Sequence, residues 1–122
     1  MSLLSNQAIE FRRAFNIRND LQKRNLQKSL IVEEFKEFLE SHQQMQLIHP
    51  QDREACLKEL ADLVYVCAQY AENMDWDLEQ ALRRVHRSNM SKLGEDGKPI
   101  YRKDGKVLKG PNYKPPDLSD LV

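Results

Sequence analysis

The sequence predicts an all-α protein: a four-helix antiparallel bundle followed by a short C-terminal β-hairpin and an extended tail. Three observations carry this. Four segments place apolar residues at helical spacing, the connections between them are short, and from Gly94 onward the chain gathers all four glycines and four of its five prolines.

The first helix covers about Ser5 to Ile17, with Ala8, Phe11, Ala14 and Phe15 on one side. A second runs from about Leu21 to Gln44. The third follows His49-Pro50, with Pro50 or Asp52 marking its start, and continues to about Asn73. The fourth begins at Asp77, where Asp77-x-x-Gln80 reads as a capping box, and ends before Gly94. Beyond it, β-type residues flank Asp104-Gly105, which predicts a hairpin over Pro99 to Lys109 closed by that pair and a tail running extended over the surface. At 122 residues and 14.3 kDa, one domain over 1–122 is expected, with a helical core at about 5–93 and a basic hairpin and tail at 94–122.

Nineteen basic residues balance nineteen acidic ones, so a generic nucleic-acid binder is not indicated. The charges are segregated, however. Glu33 to Asp77 holds eleven acids against three bases (Lys36, Arg53, Lys58), and Arg83 to Lys114 holds ten bases against three acids. No apolar run approaches the roughly 18 residues of a membrane span, and the N-terminus has no secretory pattern, so a cytoplasmic protein is expected. Cys56 and Cys67, eleven apart in one helix, stand about 16 Å apart along its axis, too far for a disulfide within that helix.

The acidic half raises a question of direction. On a helical wheel with Leu30 at zero, Leu26, Phe38, Ile31 and Phe35 mark an apolar sector, and Glu34 at about +40° and Glu37 at about −20° fall inside it. Glu33 and Glu40 lie at its edge. The third helix is apolar over most of its circumference, yet Lys58-Glu59-Leu60-Ala61-Asp62 inserts two acids. Glu59 falls between Val66 and Tyr70, and Asp62 lies nearer the polar side marked by Lys58 and Gln69. Both helices therefore carry acids at i and i+3, about one turn apart on one face. For either helix alone, the ordinary reading is long side chains reaching past the core to water.

Antiparallel packing can bring the two pairs together. Four carboxylates in an apolar cleft repel one another and lose hydration, so they must be protonated, exposed or neutralised by a cation. Hard oxygen donors without Cys or His select Mg²⁺, Mn²⁺ or Ca²⁺. A di-iron bundle wants Glu-x-x-His, and none of the three histidines fits; no EF-hand loop precedes Asp96-Gly97 or Asp104-Gly105; and Gly110 is followed by Pro111, which excludes a P-loop.

Glu33-Glu34-x-x-Glu37 followed, after 21 residues, by Glu59-x-x-Asp62 resembles the signature of the MazG-like all-α nucleoside triphosphate pyrophosphohydrolases, relatives of phosphoribosyl-ATP pyrophosphohydrolase and the dimeric dUTPases. The resemblance spans roughly residues 26 to 92, and the segment from Val85 to Tyr113 extends it toward the end of some small phage and bacterial members. It implies that Glu34, Glu37, Glu59 and Asp62 hold Mg²⁺, with Mn²⁺ a possible substitute, and that Glu33, Glu34 and Glu37 form the catalytic set. The implied reaction converts a nucleoside triphosphate, by analogy a deoxynucleotide in house-cleaning of the nucleotide pool, to the monophosphate and pyrophosphate.

The resemblance also gives the basic segment a role. Asn89 and Lys92 match positions that contact nucleotide or phosphates, and Lys106, Lys109 and Tyr113 are placed to close over the site; the ordinary alternative is a solvated basic surface. For Phe11, Phe15, Tyr65 and Trp76, core packing outweighs base stacking. The implied assembly is a homodimer or dimer of dimers, with a nucleoside triphosphate as partner and neither a nucleic-acid polymer nor a membrane. The rival readings are a phosphoribosyl-ATP pyrophosphohydrolase-like activity and a non-catalytic helical interaction module.

Overall fold

The computed structural model describes residues 3–122, which form two compact units divided after Leu78. The first contains α1 (Leu3–Ala14), α2 (Arg24–Gln44) and α3 (Pro50–Asn73); helix α4 (Leu78–Met90) opens the second. Among the described residues there are four α-helices and no strand, as the all-α expectation requires. Among the described residues no helix is long and apolar enough to cross a membrane.

Each helix boundary has a local cause. α1 stops at Ala14, before the expected Ile17, because Asn16 turns left-handed (φ 56°) and the Ile17 amide reaches back to the Arg12 carbonyl at 2.8 Å. α3 ends the same way, with Asp75 at φ 60° and the Trp76 amide donating to the Ala71 carbonyl at 2.9 Å. The expected second helix begins as a 3-10 turn, Leu21–Lys23, where the Asp20 carboxylate accepts from the Gln22 amide; regular α2 starts at Arg24. Pro50 occupies the first turn of α3, where its missing N–H is harmless. α4 starts at Leu78, one residue after Asp77.

In the first unit α2 and α3, joined by residues 45–49, pack along each other, and α1 packs on α3. The interior is small and partly polar. Ala8, Cys56, Ala68 and Ala71 are buried beside Arg12, Gln27, Gln69 and Asn73. Arg12 organises part of it: its guanidinium donates to Gln69 Oε1 (3.2 Å), Asn73 Oδ1 (3.0 Å), Asn19 Oδ1 (2.8 Å) and the Arg18 carbonyl (3.1 Å). Burial lowers the pKa of that guanidinium, and the nearby Glu72 charge opposes the shift. Phe11 stacks on Phe15 and meets Tyr65 edge-on, and Tyr70 packs on Trp76, so these aromatics are engaged with one another.

The second unit corrects the hairpin expectation. Only an isolated antiparallel bridge, Tyr101–Val107, forms there. A two-residue type I′ turn needs positive φ at both central residues; Gly105 has it (φ 90°) and Asp104 does not. The chain instead closes a wider loop, with the Arg102 amide on the Lys106 carbonyl at 2.8 Å and the Arg102 side chain paired to Asp104. The tail is fastened along α4. Ser88 Oγ donates to the Lys114 carbonyl (2.7 Å), the Lys114 amide donates to Ser91 Oγ (3.0 Å), and Arg84 donates to the Asp117 carbonyl and Asp120 carboxylate, both at 3.0 Å. Residues 119–121 close it with a 3-10 turn.

Candidate metal centre

Glu34 on α2 and Glu59 and Asp62 on α3 each offer a carboxylate oxygen, and the three oxygens lie within 4.8 Å of one another. The register explains the meeting. Five residues join antiparallel helices, so the middle of α2 faces the early middle of α3, and the carboxylates fall at one level. All three residues are half-buried.

Two oxygens here, Glu34 Oε2 and Glu59 Oε2, are buried with no hydrogen-bond partner in the protein. Unpaired carboxylate oxygens in such a place need a proton or a cation. Glu34 shows this tension: burial, then its hydrogen bond to Glu37, then the charges of Glu37, Asp62 and Glu59, push its pKa from 4.5 to about 7. The donor set, hard oxygens without Cys or His, fits a hard divalent cation, Mg²⁺, Mn²⁺ or Ca²⁺.

Glu37, inward on the wheel, is exposed and is not one of the three converging carboxylates; it acts on the cluster by raising the pKa of Glu34. Glu33 is exposed. Asp62, placed by the wheel toward the polar side, stands in the cluster; α3 turns that edge toward α2. One participant was not read from the sequence as part of the site. Lys58 Nζ lies 2.7 Å from Asp62 Oδ2 and 3.6 Å from Glu59 Oε1, and both carboxylates raise the pKa of its ammonium, Asp62 first. The i,i+4 spacing to Asp62 is a usable sequence signal for that contact. Gln27 and Gln69 are buried on the same two helices, and for Gln69 this corrects the wheel, which sets it on the polar side of α3.

The basic candidates all belong to the second unit. Asn89 is exposed on the last turn of α4. Lys92 lies two residues beyond the helix, half-buried, its carbonyl accepting from the Gly110 amide at 2.8 Å. The Lys109 ammonium sits 4.8 Å from the centre of the Tyr113 ring, and Lys106 is exposed.

The family model described as phosphoribosyl-ATP pyrophosphohydrolase matches residues 5–89, which include the whole carboxylate cluster and Asn89. No curated protein matches the chain.

Proposed function

The chain belongs to the phosphoribosyl-ATP pyrophosphohydrolase family, within the MazG-like all-α NTP pyrophosphatase superfamily, and is accordingly a nucleotide pyrophosphohydrolase; from that premise we propose that it is a Mg²⁺-dependent enzyme hydrolysing nucleoside triphosphates, deoxynucleotides in particular, between the α- and β-phosphates. The observation that carries the reading is the convergence of Glu34, Glu59 and Asp62 with two buried carboxylate oxygens left unpaired.

Glu34, Glu37, Glu59 and Asp62 would hold the metal. Bound Mg²⁺ supplies charge neutralisation at the phosphate oxygens and acidifies a water. Glu33 and Glu37, both exposed beside Glu34, are the candidates to take the proton of that water, through a carboxylate oxygen left free of the metal. Asn89, Lys92, Lys109 and Tyr113 would meet the nucleotide and its remaining phosphate charge, since in-line attack on phosphorus depends on positioning and electrostatics.

A homodimer or dimer of dimers is part of the proposal. Leu26, Phe35 and Leu39 of α2 and Leu57, Leu60 and Val64 of α3 are each more than two-fifths exposed, an apolar surface of the kind that self-association covers. The family match itself favours a second reading, phosphoribosyl-ATP as substrate.

The deciding experiment measures pyrophosphate released from the NTPs, the dNTPs and phosphoribosyl-ATP, with Mg²⁺ and with excess EDTA. Release from triphosphates that EDTA abolishes is the expected result. Release from phosphoribosyl-ATP alone selects the second reading, and release from none of them leaves a non-catalytic helical module.

A further inference from the structure

Two turns from the carboxylates, the first unit holds a second unexplained polar feature. Gln27 is seven residues before Glu34 on α2, and Gln69 is seven after Asp62 on α3. Because the helices are antiparallel, both shifts run the same way along the pair, and seven residues return each side chain to nearly the same face. The two amides therefore stand at one level, about 10 Å along the helix axes from the acidic cluster. Gln27 is 6 % exposed and Gln69 5 %. Each carries a buried atom with no partner in the protein: Gln27 an acceptor, Oε1, and Gln69 a donor, Nε2. The orientation of Gln69 is fixed, since its Oε1 takes the Arg12 guanidinium N–H at 3.2 Å and its NH₂ must point elsewhere.

We infer that Gln27 and Gln69 read the base of the nucleotide whose phosphates the carboxylate cluster serves, an inference that rests on the proposed function. About two helical turns is the reach from an α-phosphate across the sugar to the hydrogen-bonding edge of a base. An acceptor from one helix and a donor from the other match an edge that presents an N–H beside an N or O acceptor. Amide side chains recognise bases in just this donor-and-acceptor manner. Unpaired buried amides burden the ligand-free fold, and a site built to pair a substrate N–H rejects analogues that lack it. The pair thus selects for an unblocked base edge, and it sets specificity without touching the reacting phosphorus.

The test is calorimetric binding of the four nucleoside monophosphates, and of the N-methylated, edge-blocked form of the tightest, to the wild type and to Gln27→Met and Gln27→Asn, with melting temperatures alongside. Gln27 is varied because Gln69 also serves Arg12. The wild type is expected to prefer one base and to lose about tenfold or more in affinity on methylation. Gln27→Met is expected to bind the blocked and unblocked forms alike while melting no lower than the wild type. Equal binding of both forms by the wild type overturns the inference without any variant. So does a Gln27→Met protein that keeps the preference, which would leave Gln27 and Gln69 bridged by a structural water. Monophosphate binding needs no turnover, so the outcome is separable from the pyrophosphate assay: discrimination without hydrolysis refutes the proposed function alone, and hydrolysis without discrimination refutes this inference alone.

Discussion

Lys58 Nζ stands 2.7 Å from Asp62 Oδ2, so the carboxylate cluster has a cation of its own within the same helix. The lysine side chain is two-thirds exposed, and it can leave for water when a divalent ion arrives. Lysine and metal thus compete for Asp62 and Glu59. Lys58→Met is expected to tighten Mg²⁺ binding about three- to tenfold at low salt, with the gain shrinking as ionic strength rises. Titration calorimetry at two salt concentrations checks this; unchanged affinity would show that the ammonium is a bystander.

Proton linkage gives a second expectation. Glu34 is held at about 7 against an ordinary 4.5, so the folded state binds this proton more tightly than the unfolded state. Its contribution to metal-free stability is complete below pH 4.5 and is lost as pH rises through about 7. The metal requires the opposite form. Mg²⁺ affinity is expected to climb about tenfold per pH unit up to about 7 and then level off. Melting curves with and without Mg²⁺ should diverge as the pH rises, and parallel curves would remove Glu34 from the ligand set.

Asp62→Ala and Glu37→Ala are expected to lower turnover roughly a hundredfold or more. Neither should lower the melting temperature of the metal-free protein, because each removes one of several mutually repelling charges around Glu34. A variant that retains near-wild-type turnover is not part of the machinery.

The tail makes a different prediction from the one its charge suggests. Ser88 is buried and gives its hydroxyl to the Lys114 carbonyl, so Ser88→Ala should cost about 1 kcal/mol and speed amide exchange over residues 111–122. Deleting everything after Gly94 removes those partners together, and lower stability should accompany any rise in KM. Lys92→Ala, which leaves the backbone bond to Gly110 intact, isolates the side chain: a fall in kcat at unchanged melting temperature assigns it to the phosphates.

The helices were legible because apolar spacing, Pro50 and the loss of pattern at Gly94 are local signals. Glu34 and Glu59 were legible for a related reason: a charged residue inside an apolar sector contradicts its surroundings. Asp62 sat at a sector edge, where a few degrees of helix rotation decide the direction, and only the packing of α2 on α3 settles it. The hairpin failed on backbone dihedrals: Asp104-Gly105 is a favoured type I′ pair, but Asp104 does not take the positive φ that turn needs. The burial of Gln27 and Gln69 was not legible, because glutamine is unremarkable on a helix surface and the wheel sets Gln69 on the polar side; their lack of partners is a property of three-dimensional packing alone.

Asn73 treats Asp20 as a neighbouring strand would: its Oδ1 accepts the Asp20 amide at 2.9 Å and its Nδ2 donates to the Asp20 carbonyl at 2.9 Å. What is recognised is main chain, reached through the four residues that follow the left-handed turn at Asn16. Ile17 and Arg18, whose side chains are exposed, can therefore drift in identity over evolution, whereas their number cannot change. An insertion or deletion between Asn16 and Asp20 would slide the wrong peptide into the Asn73 side chain and pull the Arg18 carbonyl off Arg12, so this link works as a gauge of length and would bear substitutions far better than indels.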